Sequence, residues 1–178
     1  MDYPNILITT SLSDNRVLFD EPTKFTAKLR EFKTDKNLLL YGYGSYGHSI
    51  PPTFSSSKFS LIDRDIIWVT AHIRGGMERG MKWWKDGKLL NKKNTFKDYI
   101  SVAKYLIEKK YTSEKKIIGM GGSAGGLLMG AVVNEEPNLF LGMIMAVPFV
   151  DSLTTNLDHS LPLTIGEFDE FGLSLIHI

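Results

Sequence analysis

The run that most constrains this chain is Lys116 to Gly130, KIIGMGGSAGGLLMG. The β-branched pair Ile117–Ile118 reads as a strand, and the small-residue apolar run after Ala124 reads as a helix. Between them stands Gly121-Gly122-Ser123-Ala124-Gly125. This is a G-x-S-x-G pattern in the strand–turn–helix setting where it forms a nucleophile elbow. So tight a turn forces Ser123 into a strained backbone conformation, and side chains on the flanking glycines would collide with strand and helix. The turn lifts the Ser123 hydroxyl above the sheet edge and sets it beside a helix N-terminus, where the N–H of Ala124 can receive a developing oxyanion. A Gly-rich turn that merely packs a helix on a sheet would use the same residues, so the motif defines a candidate nucleophile.

The rest of the chain alternates strands and helices around this turn. Asn5–Thr10 (NILITT) has the continuous apolar core of a buried parallel strand, with Pro4 before it and the polar Ser11–Asn15 after. Glu21-Pro22 opens TKFTAKLREF, where Phe25, Leu29 and Phe32 fall at helical spacing. Leu38–Tyr41 reads as a second strand, running into the Gly-rich YGYGSYG loop at 41–47, and Ile66–Ile73 as a third, closing on Arg74-Gly75-Gly76. A basic loop with Trp83 and Trp84 follows. Asn94 or Thr95 is placed to cap a helix whose apolar positions are Phe96, Tyr99, Ile100, Ala103, Leu106 and Ile107. Leu141–Val147 is the last clear strand, before Pro148. Such alternation predicts an α/β fold, a mostly parallel sheet covered by helices on both faces. The last six residues, LSLIHI, show no turn or cap pattern.

Composition excludes several classes of function. Lys and Arg number 21 against 20 Asp and Glu, a net charge of +1, so bulk electrostatics do not argue for nucleic acid or an anionic membrane. There is no Cys, hence no disulfide or thiolate metal site, which suits a reducing compartment. MDYPNILITT lacks a basic n-region, and no apolar run reaches the ~18 residues of a membrane span. These features give the expectation of a cytoplasmic protein.

Longer stretches carry a resemblance. LLLYGYGSYG, HIRGGMERGMKWWKDGKLLNKKNTFKDY, GMGGSAGG and VPFVD…PLTIGEFDEFG together resemble the prolyl oligopeptidase family of serine peptidases, and within it the oligopeptidase B group. The resemblance runs from about Leu38 to Gly172. Residues 3–40 also resemble the family, but a part that follows the nucleophile in full-length members. The resemblance therefore implies three segments: 1–40 from the C-terminal part of a catalytic domain, 41–172 bearing the nucleophile, and a non-family tail at 173–178. It implies an incomplete α/β-hydrolase-type domain without a β-propeller.

A Ser hydroxyl needs a His to take its proton and an Asp to orient that His. By resemblance, Asp14 matches the triad Asp. A loop past a strand's C-terminal end is where active-site groups of open α/β sheets collect, although Asp14 before Asn15 is equally an Asx-turn residue. The resemblance also implies that Tyr43 joins the Ala124 N–H in an oxyanion hole. It gives Glu167 and Asp169 the role of receiving a basic substrate side chain. Read as an extended segment, GEFDEF projects those two acids to one side, as a bidentate guanidinium requires; an acidic surface loop has the same composition. The implied substrates are short peptides with basic residues, and the implied chemistry uses no cofactor or metal. The family's triad His has no matching stretch, and the chain's own are His48, His72, His159 and His177. Three readings stay open: a peptidase cutting after Arg or Lys through an acyl-enzyme on Ser123, an inactive remnant lacking the triad His unless a second polypeptide supplies it, and an esterase of small acyl esters.

Overall fold

The computed structural model describes residues 37–158, 160–161 and 164–172. The expected strand Asn5–Thr10, the helix expected after Pro22, Asp14, His159, His177 and the tail 173–178 lie outside the described residues. Four strands form one sheet: β1 (Leu38–Gly42), β2 (Ile67–Ala71), β3 (Ile117–Gly122) and β4 (Phe140–Ala146). Their order is β2-β1-β3-β4 and all three pairings are parallel, which bears out the α/β expectation.

The helices are α1 (Phe59–Ile62), α2 (Met81–Lys85), α3 (Lys93–Glu108), α4 (Ala124–Glu135), α5 (Ser152–Thr155) and α6 (Thr164–Phe171). The chain steps one way across the sheet from β1 to β2, then back over β1 to β3 and on to β4. Right-handed crossovers put the first connection on one face and the next two on the other, so both faces carry cover.

The central strand explains the core. Leu38, Leu39 and Leu40 are all buried, as an apolar run covered on both faces must be. Tyr99 of α3 lies against β1, fully buried, and its hydroxyl donates to the Leu40 carbonyl at 2.6 Å, so no polar atom is stranded. The sheet makes room for that ring with a glycine: a Cβ on Gly42 would come within 2.7 Å of Tyr99 Cε2. Leu128, Met129 and Val132 of α4 join Ala103, Leu106 and Ile117 in the same core. Each of the Leu, Ile, Val and Met side chains there contributes about 1.5–3 kcal/mol by leaving water.

Two local expectations are corrected. Helix α3 starts at Lys93, with Lys92 at the cap position and no side-chain cap bond. Thr95 instead donates its hydroxyl to the carbonyls of Arg74 and Gly87, and Asn94 donates to that of Asp86, so tertiary partners take both side chains out of capping. The Trp83–Trp84 segment belongs to α2 and is not wholly loop.

Candidate active site

The elbow forms as its glycines require. Ser123 has φ 53° and ψ −119°, a left-handed conformation that costs about 1–3 kcal/mol in a non-glycine residue. Backbone hydrogen bonds hold it there. Ser123 N–H donates to the Ala146 carbonyl at 2.9 Å, while the Ser123 carbonyl accepts from Gly126 at 2.8 Å and from Phe149 at 3.0 Å. The end of β4 and the loop after it therefore clamp the turn from outside. A Cβ on Gly121 would overlap the Gly125 carbonyl, one on Gly125 would lie 2.8 Å from the Gly42 carbonyl, and one on Gly126 would lie 2.6 Å from Pro148. Ser123 itself is exposed. As the first residue of α4, Ala124 has no carbonyl four residues back within the helix for its N–H to donate to.

Tyr43 leaves β1 directly beside this turn. Its Cα and Cδ2 stand 3.4 and 3.3 Å from the place a Gly125 Cβ would take, so the missing side chain lets the Tyr43 loop reach the first turn of α4. Burial, reinforced by the negative charge of Glu167, raises the Tyr43 pKa above the usual phenol value. The hydroxyl therefore stays protonated and able to donate. Ser123, Ala124 and Tyr43 are brought together; Asp14 lies outside the described residues.

Glu167 and Asp169 are not on an extended segment. Both sit on α6, where residues two apart point to opposite sides. Glu167 accepts a 2.5 Å hydrogen bond from Tyr46, whose ring centroid is 6.1 Å from that of Tyr43, so this acid stands on the Tyr43 side of the elbow. Asp169 is exposed and pairs with Lys88 at 2.7 Å, away from Glu167.

The acid that sequence reasoning missed is Glu170. It is 1% exposed, and both its oxygens are engaged: Lys92 Nζ at 2.8 Å and Trp84 Nε1 at 3.0 Å. The same ammonium donates to the Gly44 carbonyl at 2.8 Å and to Ser45 Oγ at 2.5 Å. All three protons of Lys92 are thus used, and one buried ion ties the loop carrying Tyr43 to α6. Burial lowers the Lys92 pKa against the opposing pull of Glu170. A second strap joins the same loop to the Arg74-Gly75-Gly76 turn. Gly47 N–H donates to Gly75 at 2.9 Å, and Arg74 grips Asp98 of α3 bidentately at 2.7 and 2.5 Å. A basic run such as WWKDGKLLNKK gives no sign of which lysine is buried; only the partner on α6 decides it.

Among the described residues neither described histidine hydrogen-bonds Ser123. His48 sets its ring edge-on to Tyr43, with centroids 5.3 Å apart, and His72 Nε2 is 3.0 Å from the Ile50 carbonyl oxygen.

Comparison with known proteins now decides the family. The model of the prolyl oligopeptidase family matches residues 1–58 and 52–175, nearly the whole chain. The chain belongs to the prolyl oligopeptidase family. Among its relatives, Protease 2 of Moraxella lacunata is 53% identical over 76% of this chain, and dipeptidyl aminopeptidase BI of Pseudoxanthomonas mexicana 52% identical over the same share. Oligopeptidase B of Leishmania major superposes with a TM-score of 0.74 at 49% identity, covering 77% of this chain. Oligopeptidase B of Trypanosoma brucei, solved with covalently bound antipain, does so with the same TM-score at 48% identity. The chain spans about a fifth of the length of these relatives. The parallel sheet and elbow described above are thus the prolyl oligopeptidase family's α/β-hydrolase-type fold. Among the described residues, no helix is long and apolar enough to cross a membrane.

Proposed function

We propose that this chain carries the nucleophile half of a serine peptidase centre. Ser123 Oγ attacks the scissile carbonyl carbon as its proton passes to an imidazole, and the carbonyl oxygen takes the charge between the Ala124 N–H and the Tyr43 hydroxyl. The tetrahedral intermediate collapses by expelling the amine, which leaves with that proton, and water then hydrolyses the acyl ester on Ser123. Asp14 is assigned the orienting role toward the imidazole. The observation that carries the reading is the strained, backbone-clamped Ser123 with Tyr43 packed on the first turn of α4.

The substrate class we assign is short peptides cut after Arg or Lys. Glu167 is the acceptor for the basic side chain, since it is near Tyr43 through Tyr46; Asp169 serves only once Lys88 releases it. The test is hydrolysis of short peptides ending in an Arg amide, compared with Ala and Pro in the same place. Cleavage after Arg that disappears in Ser123→Ala, with KM raised about tenfold or more in Glu167→Gln, is the expected result. No cleavage by folded protein overturns it.

One observation favours a second reading. His48 and His72 are both directed to other partners. With no imidazole at Ser123 the centre would retain only what substrate binding and oxyanion stabilisation supply, a recognisable peptidase domain that turns over only when a base is brought to it.

A further inference from the structure

Tyr43 stands between two glycines: Gly42, which ends β1, and Gly44, whose backbone has φ 67°. A residue flanked in this way has little hold on its own place, because glycine backbone resists few conformations. Its ring contacts do not supply that hold. Tyr46 and His48, with ring centroids 6.1 and 5.3 Å from that of Tyr43, belong to the same loop and move with it. The place of the Tyr43 hydroxyl is therefore set by what grips the loop from other elements. Nearest to Tyr43 is Lys92, whose ammonium takes the Gly44 carbonyl at 2.8 Å and Ser45 Oγ at 2.5 Å, on the two residues that follow Tyr43. Glu167 and the Gly75 carbonyl hold the loop further on, at Tyr46 and at Gly47.

We propose that Lys92 is a positioning residue for the oxyanion hole, holding Tyr43 against the first turn of α4 through Gly44 and Ser45. The catalytic consequence rests on the peptidase reading above. The Lys92 side chain is only 12% exposed, and its three protons go to Gly44, Ser45 and Glu170. None is left for a substrate, so Lys92 acts through the loop and not on the reacting atoms. The grip starts from a rigid element. Lys92 directly precedes α3, which Tyr99 ties to the Leu40 carbonyl and Thr95 to the carbonyls of Arg74 and Gly87. Gly44 is also seated against that helix: a Cβ there would lie 2.5 Å from Thr95 Cγ2 and 2.8 Å from Ile73 Cδ1.

The chemistry of the side chain suits this task. An ammonium is compact and carries three donors, which lets it meet acceptors converging from the loop and from α6; a planar guanidinium fork does not match that arrangement. Glu170 balances the charge, and Trp84 Nε1 holds its other oxygen at 3.0 Å. The Phe171 ring lies 5.0 Å from the same ammonium and closes it in. A loosened Tyr43 would weaken the hydrogen bond made to the oxyanion in the transition state and leave substrate binding alone, so the loss falls on kcat and not on KM.

Two variants and two readouts test this. Ser45→Ala cuts one contact with the loop and leaves the ion pair in place; Lys92→Met with Glu170→Met removes the junction without leaving a lone charge. With 3-fluorotyrosine at position 43, the parent chain is expected to give one narrow 19F line, and both variants a broadened or split one. This readout needs no turnover. On peptides ending in an Arg amide, kcat is expected to fall about tenfold or more in the double variant and by less in Ser45→Ala, with KM within about twofold of the parent. Leu106→Ala, a core change near the other end of α3, is expected to lower stability yet keep both the narrow line and kcat. Should the double variant fail to fold, Ser45→Ala decides. An unchanged 19F line in the folded variants overturns the proposal. So does a fall in kcat in Leu106→Ala as large as theirs, which would trace the effect to stability alone. A parent with no turnover counts against the peptidase reading, and the fluorine spectra then decide the positioning by themselves.

Discussion

Gly121 and Gly125 face each other across Ser123 so closely that a Cβ on the first would overlap the carbonyl oxygen of the second. Nothing there is a flexible side-chain tip that could swing aside. Gly121→Ala is therefore expected to lower stability by about 1–3 kcal/mol, toward the upper end, by displacing the elbow backbone. Gly130, further along α4, is the control. A Cβ there meets only Val150 Cγ1 at 4.0 Å, and Gly130→Ala in a helix interior is expected to stabilise by about 0.5–1 kcal/mol. Urea unfolding of the two variants beside the parent measures the contrast.

The Lys92–Glu170 pair is expected to show strong non-additivity. Lys92→Met leaves the Glu170 carboxylate buried with only Trp84 as donor, and breaking a buried ion pair from one side costs about 3–5 kcal/mol. Lys92→Met combined with Glu170→Met removes both charges, and its stability is expected to return to within about 1–2 kcal/mol of the parent. The residue of the loss belongs to Trp84 Nε1 and Ser45, which lose their partner. A double-mutant cycle by denaturant unfolding tests this; additive single losses would contradict it.

Alkaline stability follows from the phenols. Burial, the largest cause in each case, raises the pKa of Tyr43, Tyr46 and Tyr99 above the ordinary value, with the Glu167 hydrogen bond adding to it at Tyr46. In the unfolded chain they titrate near ~10. Below that pH both states hold the protons and the stability is fully present; above it the unfolded state releases them first, so stability falls as pH rises toward the folded pKa. Lys92, with its pKa lowered, works the other way: stability rises with pH until its unfolded value near ~10.4 is passed. A melting temperature that climbs toward pH 10 and then drops is expected. Tyr99→Phe should flatten the drop by at most about 1.4 kcal/mol per pH unit. Absorbance of tyrosinate near 295 nm follows the same titration.

The sheet was legible where strands are continuous apolar runs: Leu38–Tyr41 and Ile66–Ile73 differ from β1 and β2 only at their ends, and Leu141–Val147 from β4 by one residue at each end. The elbow was legible because its glycines answer a steric demand that only strand, turn and helix together impose. What stayed hidden depends on partners far along the chain. Lys92 and Glu170 are 78 residues apart, and neither a basic run nor GEFDEF marks which charge goes inside. The extended reading of Glu167 and Asp169 failed because docking against Tyr46, Trp84 and Lys92 favours a helix there. Thr95 missed its cap for the same kind of reason, its hydroxyl being held by Arg74 and Gly87.

The central claim is that Ser123 is an activated nucleophile, and intact mass after incubation with a fluorophosphonate tests it most directly. Stoichiometric labelling of the parent chain, absent in Ser123→Ala, is the result this account predicts. Protein that is folded by circular dichroism yet takes up no label would contradict it, and would leave a member of the prolyl oligopeptidase family whose elbow is formed but unpowered.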